Sequence, residues 1–322
     1  MQGRPSAAAQ GSRSRARHWA LIIGLLGLVA VVANRSTFTI AWSQWGMVAF
    51  VSCTLLALSR LYSILRQREG RLSTTLHELA LLCAYAPAAA ALSYIVLTPS
   101  LPLVDPQLAA IDRTLGFDWP AWYRMVSSSP RIEFALQILY RSSLLHVIVL
   151  ILALGLIGRI ERARELNALL IATSLPMILI SGLLPALSAW VYYDIGVDKA
   201  YHLEHVVGLR DGSFRTLSPG TLLGIVTFPS FHTAIALALV WTSRGIAWLF
   251  YPTLVINVGV LASIPSEGGH YLVDILTGIL ITAVAVGWLR ARLAAPESVG
   301  RRTREVAAAT VGGRARTAEG AR

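Results

Sequence analysis

A chain of 322 residues with 55% hydrophobic and only 14% charged side chains falls outside the soluble globular class, which carries about 25% charged residues. Its mean hydropathy of +0.60 places it among polytopic membrane proteins. The net charge of +11 does not point to nucleic acid, because the basic residues are nearly all arginines in short clusters between apolar runs, as a positive-inside bias arranges them.

The chain opens on a basic flank, "MQGRPSAAAQGSRSRARHW", followed by an apolar run at 19–33. The cleavage signal is weak, so the run reads as an uncleaved signal anchor. A spanning helix needs about 20 mostly apolar residues. Further spans are expected at 38–58, 74–97, 133–158, 166–189, 228–243, 246–264 and 270–289, making eight in all. The fold class expected is an all-α polytopic membrane bundle. Residues 1–72 form a basic tail and two transmembrane helices, and 73–293 a six-helix catalytic core. The Ala-, Gly- and Arg-rich stretch 294–322 is expected to be a disordered tail. Cys53 and Cys83 lie in apolar runs and are expected as buried thiols outside any disulfide framework.

Arginine placement orients the spans. Arg4, Arg13, Arg15 and Arg17 precede the first, Arg60, Arg66, Arg68 and Arg71 follow the second, and Arg159, Arg162 and Arg164 follow the fourth. Arg244 follows the sixth, and Arg290, Arg292, Arg301, Arg302 and Arg304 the eighth. With eight spans these fall on one side, so both termini are expected in the cytoplasm. The cell membrane is the expected location. Two long loops then face outward. One, 98–131, mixes Pro, Asp and Trp, and is expected to lie along the interface with Trp119 and Trp122 as anchors. The other, 190–227, concentrates His, Glu, Asp and Arg.

Chemistry concentrates where the last two motifs open. In "GGHYLVDILTG" (268–278), His270 and Asp274 are four residues apart and share a helix face. An ionisable pair at the head of a membrane helix is expensive without a function. Asp274 can hold one imidazole nitrogen and free the other as nucleophile or base; as a bland alternative, the pair only pins helices together. In "FPSFHTA" (228–234), Pro229 suits a first helical turn. Ser230 and His232 then sit at a helix N-terminus, where free N–H groups favour an anion. The alternative there is an N-cap with an interfacial histidine.

Pro-Ser-x-His followed by His-x-x-x-Asp resembles the type 2 phosphatidic acid phosphatase superfamily. The phrases "PLVDPQLAAIDRTLGFDW", "FPSFHTA" and "GGHYLVDILTG" are similar to its inositol-phosphorylceramide-synthase-like branch, over about residues 74–290. The resemblance implies that His270 attacks phosphorus and becomes a phosphohistidine. It implies that Asp274 orients and stabilises its imidazolium, and that His232 protonates the leaving alkoxide. Ser230 and nearby N–H groups would hold phosphate oxygens. No metal or cofactor is expected, and the partners expected are the membrane and a lipid phosphate or phospholipid substrate, not nucleic acid. The chain departs from the wider family at Ser263-Ile264, where that family has Ser-Arg, and it lacks the Lys-x6-Arg-Pro pattern. Arg215, Arg210 and Arg141 are the candidate replacements for the missing phosphate-binding cation, with lipid-headgroup snorkelling as the alternative for each.

"HLEH" at 202–205 does not match the spacing of a helical pair of metal ligands. His77 with Glu78, and the isolated His146, suit structural contacts between helices. The rival to an enzyme is a transporter or assembly factor that binds an anionic ligand without turnover. All three of His232, His270 and Asp274 are present, which favours the enzyme.

Overall fold

The structure is a computed structural model that describes residues 7–65 and 70–292. Within them the chain forms twelve α-helices and almost no strand. In chain order they are α1 (Ala7–Arg35), α2 (Trp42–Leu65), α3 (Gly70–Leu97), α4 (Asp105–Thr114), α5 (Trp119–Ser127), α6 (Pro130–Leu156) and α7 (Ile160–Leu183). Then follow α8 (Ala189–Tyr192), α9 (Leu203–Asp211), α10 (Phe231–Ser243), α11 (Ala247–Glu267) and α12 (Leu272–Arg292). Two-residue strands β1 (Thr39–Ile40) and β2 (Thr216–Leu217) pair in parallel. The tail expected to be disordered, 294–322, lies outside the described residues.

Among the described residues seven helices are long and apolar enough to cross a membrane: α2, α3, α6, α7, α11, α12 and the Arg15–Arg35 part of α1. The eighth expected span is α10, which has 13 residues and is therefore about 20 Å long. It is shorter than the apolar run because residues 228–230 stay outside it. Pro229 is not in its first turn; Ser230 is the N-cap and Phe231 opens the helix.

The core gathers α6, α7, α10 and α12 around Leu150, Leu154, Leu166, Leu169 and Leu239, all fully buried. α3 packs on α6 and α7, and α1 and α2 lie against α3. Leu144, Leu145, Val255 and Leu280 point outward. Lipid is as apolar as leucine, so dispersion and interhelical polar contacts hold such helices together. Tyr85 hydrogen-bonds Ser174, and Asn167 Nδ2 donates to Glu78 Oε2 at 2.9 Å. Cys53 and Cys83 are exposed on helix surfaces, which corrects the expected burial; a thiol suits a lipid-facing position as well as a core one.

The arginine-bearing helix ends meet at one end of the bundle. Arg164 Nε, at the start of α7, lies 3.7 Å from Glu78 of α3. Arg244 Nη2 lies 2.8 Å from Glu165, and Arg244 and Arg290 both stand over the Trp241 ring. His77 accepts from Trp19 Nε1, and His146 lies against Thr253 and Asn257, so both join helices as expected. The N-terminus of α10, which carries Ser230 and His232, is at the opposite end of that helix.

Candidate active site

His270 lies in the turn between α11 and α12, not on a helix. Its Nδ1 is 3.0 Å from Asp274 Oδ2, and both side chains are buried. Asp274 sits in the first turn of α12, and the same Oδ2 accepts from the Tyr271 backbone N–H at 2.9 Å. The expected pair is therefore present, but helix-start geometry makes it rather than two positions on one helical face. Gly269, with φ of +62°, lets the chain turn into His270.

This turn is gripped from several elements. Trp119 Nε1 donates to the carbonyls of Pro265 and His270, both at 3.1 Å. Trp190 Nε1 donates to Ser266 O, and the Ala189 N–H to Gly269 O. Asp112 accepts from the backbone N–H groups of Leu272 (2.8 Å) and Val273 (2.9 Å), capping α12 from another element. Burial pushes the Asp112 carboxyl up, and these two donors pull it back. Asp105 accepts from the Tyr271 hydroxyl and from the N–H groups of Leu187 and Ser188. The segment expected along the interface is thus folded inward. Trp119 is fully buried and is not an interface anchor, because its N–H serves the His270 turn.

α10 starts beside this turn. The Ser230 N–H donates to the Asp274 carbonyl at 3.2 Å. Gly278 makes the approach possible, since a Cβ there would lie 2.9 Å from both Ser230 O and Thr233 Cβ. No side chain caps α10, so the donors of its first turn remain open. Ser230 Oγ and Thr233 Oγ1 are buried without hydrogen-bond partners. His232 follows in the first turn of α10, two residues after Ser230. Tyr140 of α6 stacks on the His232 ring, centroids 4.0 Å apart. Both the Tyr140 hydroxyl and the His270 ring would touch a side chain at Gly268, so glycine leaves the space between them open.

The three candidate arginines are placed differently. Arg210 donates to the carbonyls of Leu101 (2.9 Å) and Ser100 (3.4 Å). Arg215 donates to Phe214 O, and its own carbonyl accepts from the Thr39 N–H beside the β1–β2 pair. Arg141 is exposed on α6 and acts on the Tyr201 hydroxyl, which burial pushes up and Arg141 pulls down; Tyr201 in turn acts on Tyr140. Among the described residues no ion pair or hydrogen bond joins any of the three to Ser230, His232, His270 or Asp274. In the "HLEH" stretch, His202 Nε2 donates to Leu187 O at 2.7 Å and His205 pairs with the Tyr94 hydroxyl. Sequence reasoning missed Tyr140, Asp105, Asp112 and the inward role of Trp119. Only the two aspartates, charged residues in an apolar loop, carried a visible signal.

The helix content and the seven long apolar helices define an integral membrane protein. The model of the family described as the PAP2 superfamily matches residues 106–288, more than half of the chain, and the chain belongs to that superfamily. Membership points to phosphatase-type activity. Neither the curated proteins nor the solved structures compared with the chain gave a match.

Proposed function

We propose that the protein is a membrane lipid-phosphate phosphatase or phosphotransferase that works through a phosphohistidine on His270. The observation that carries this reading is the His270–Asp274 hydrogen bond set beside the uncapped start of α10. Asp274 holds Nδ1–H and leaves the Nε2 lone pair for phosphorus. As the Nε2–P bond forms and the ester P–O bond breaks, protonated His232 gives its proton to the leaving alkoxide. Ser230 Oγ and the open N–H groups of α10 suit the phosphoryl oxygens. Water or an acceptor hydroxyl then attacks phosphorus, releases Nε2, and returns a proton to His232. The resemblance of three loop phrases to the inositol-phosphorylceramide-synthase-like branch supports transfer as one fate. Arg141, which shares α6 with Tyr140, is our first candidate to meet the phosphate, because Arg210 and Arg215 donate to loop carbonyls.

The partition into a two-helix N-terminal part and a six-helix catalytic part fits this reading, because every site residue lies in the second. The arginine-rich end of the bundle suits the cytoplasm, which puts both termini there and the site at the outer face of the cell membrane. The test is phosphate release from a panel of lipid phosphates, with and without polyol acceptors. Radiolabelled substrate should trap an acid-labile phosphoenzyme in the parent and none in His270→Ala. Asp274→Asn should lower turnover by about 100-fold or more, through loss of the charge facing the imidazolium. Normal turnover in His270→Ala would end the proposal.

A further inference from the structure

Glu267 is the last residue of α11, three positions before His270. Its side chain is only 3% exposed. Oε2 lies 3.5 Å from Lys199 Nζ, whereas among the described residues Oε1 is buried without a hydrogen-bond partner, the adjacent Ser266 hydroxyl donating instead to Ser263 O at 3.4 Å. A buried carboxylate oxygen left unpartnered is costly and calls for a reason. Its neighbours belong to the site described above. The Tyr140 hydroxyl and the His270 ring both flank Gly268, the next residue. Lys199 is itself held by Glu133 Oε1 at 2.6 Å and by the Tyr123 ring, whose centroid is 5.2 Å from Nζ.

A carboxylate accepts hydrogen bonds and donates none. Beside a phosphoryl group it repels the anionic oxygens and attracts an O–H or N–H carried on the alcohol side of the ester. The nearby Lys199 ammonium disfavours a second cation, which leaves a neutral hydroxyl. We propose that Glu267 is a specificity residue whose Oε1 accepts a hydrogen bond from a second hydroxyl on a polyol alcohol bonded to, or attacking, the phosphorus. Lys199 fixes the carboxylate for that contact. The assignment rests on the phosphohistidine reading. The leaving alcohol and the acceptor alcohol use the same side of phosphorus in opposite half-reactions, so one residue serves either source.

The test compares glycerol 1-phosphate with methyl phosphate by calorimetry on the full chain in detergent, in a His270→Ala background that does not consume the ester. The Glu267-containing protein should bind glycerol 1-phosphate about tenfold more tightly, the scale of one hydrogen bond to a charged group. Glu267→Leu, which removes both acceptor oxygens, should lose that preference and bind the two esters within about twofold of each other. Glu267→Asp, which draws the carboxylate back by one methylene, serves as the second variant and should weaken the preference if the Leu protein does not fold. Equal affinities in the Glu267-containing protein, or no binding of either ester, would overturn the assignment. With His270 intact, transfer to glycerol over methanol reports the acceptor arm, and release from glycerol ester over methyl ester the leaving arm. Phosphate release without any glycerol preference sinks the Glu267 assignment alone. Absence of release from every ester sinks the phosphohistidine reading, even where the binding preference survives.

Discussion

The Tyr140 ring lies nearly parallel to the His232 imidazole, with centroids 4.0 Å apart and planes 23° from each other. The two residues come from α6 and α10, so the stack fixes the ring of a proposed proton donor from a neighbouring helix. It also leaves the Tyr140 hydroxyl at the gap beside Gly268.

Stacked aromatic pairs contribute about 0.5–1.5 kcal/mol beyond their buried area. Tyr140→Phe keeps the stack and should keep kcat within about twofold. Tyr140→Ala frees the imidazole and should lower kcat by about tenfold, the upper end of that range. Steady-state kinetics on the two purified variants check this. An Ala variant as active as the parent would mean that His232 needs no support from α6, or that it does not transfer the proton.

Tyr140 shows where sequence reading stops. An aromatic residue in an apolar helix looks the same whether it faces lipid, core or a histidine. The spans themselves were legible, because about 20 apolar residues in a row admit few other structures. α10 was the exception, since hydropathy continues through residues 228–230 while the backbone does not become helical there. The pair His270 and Asp274 was legible from its spacing, although the four-residue separation acts here through a helix start. Asp112 and Trp119 were visible as residues but not in role. Their partners are backbone groups more than 140 residues away, and nothing in local composition encodes such a contact. Arg210 and Arg215 were candidates because they lie in the loop before Pro229, and that loop carries them to other partners.

The grip on the His270 turn should be measurable. Asp112→Ala leaves the Leu272 and Val273 N–H groups buried without their acceptor. That should destabilise the protein by about 1–3 kcal/mol and lower kcat with it, because the start of α12 carries Asp274. Trp119→Phe keeps the ring and removes the donor to Pro265 and His270, so it should be milder, about 0.5–1.5 kcal/mol. Thermal unfolding in detergent, followed alongside activity, separates the two effects. An Asp112→Ala protein with parental Tm and parental kcat would remove Asp112 from the positioning of the site.

His202 gives a pH dependence of known sign. It is 4% exposed, and burial lowers its pKa despite the hydrogen bond to Leu187 O, which opposes the shift. The folded protein therefore holds it neutral at a pH where the unfolded chain, titrating near the usual value of about 6.5, takes up a proton. The stability it contributes is complete above that range and is lost as pH falls below it. The Tm of the parent should therefore drop more between neutral and mildly acidic pH than that of His202→Gln, whose amide can still donate to Leu187 O. Identical Tm–pH curves for the two proteins would show that His202 is not held neutral by the fold.

Sidedness decides which pool of substrate the site can reach. Arg164 pairs with Glu78 and Arg244 with Glu165, whereas Ser230 and His232 open α10 at its other end. If the arginine end is cytoplasmic, as the positive-inside bias requires, the alcohol or phosphate leaves on the outer side. Single cysteines test this in a background lacking Cys53 and Cys83. Ser213 is exposed in the loop before α10, and the Glu161 side chain, at the start of α7, is 82% exposed. Ser213→Cys should react with an impermeant maleimide in intact cells. Glu161→Cys should react only after permeabilisation. Labelling of Glu161→Cys from outside would invert the topology and move the proposed chemistry to the cytoplasmic leaflet, while leaving the His232–His270 geometry and its test by phosphoenzyme trapping untouched.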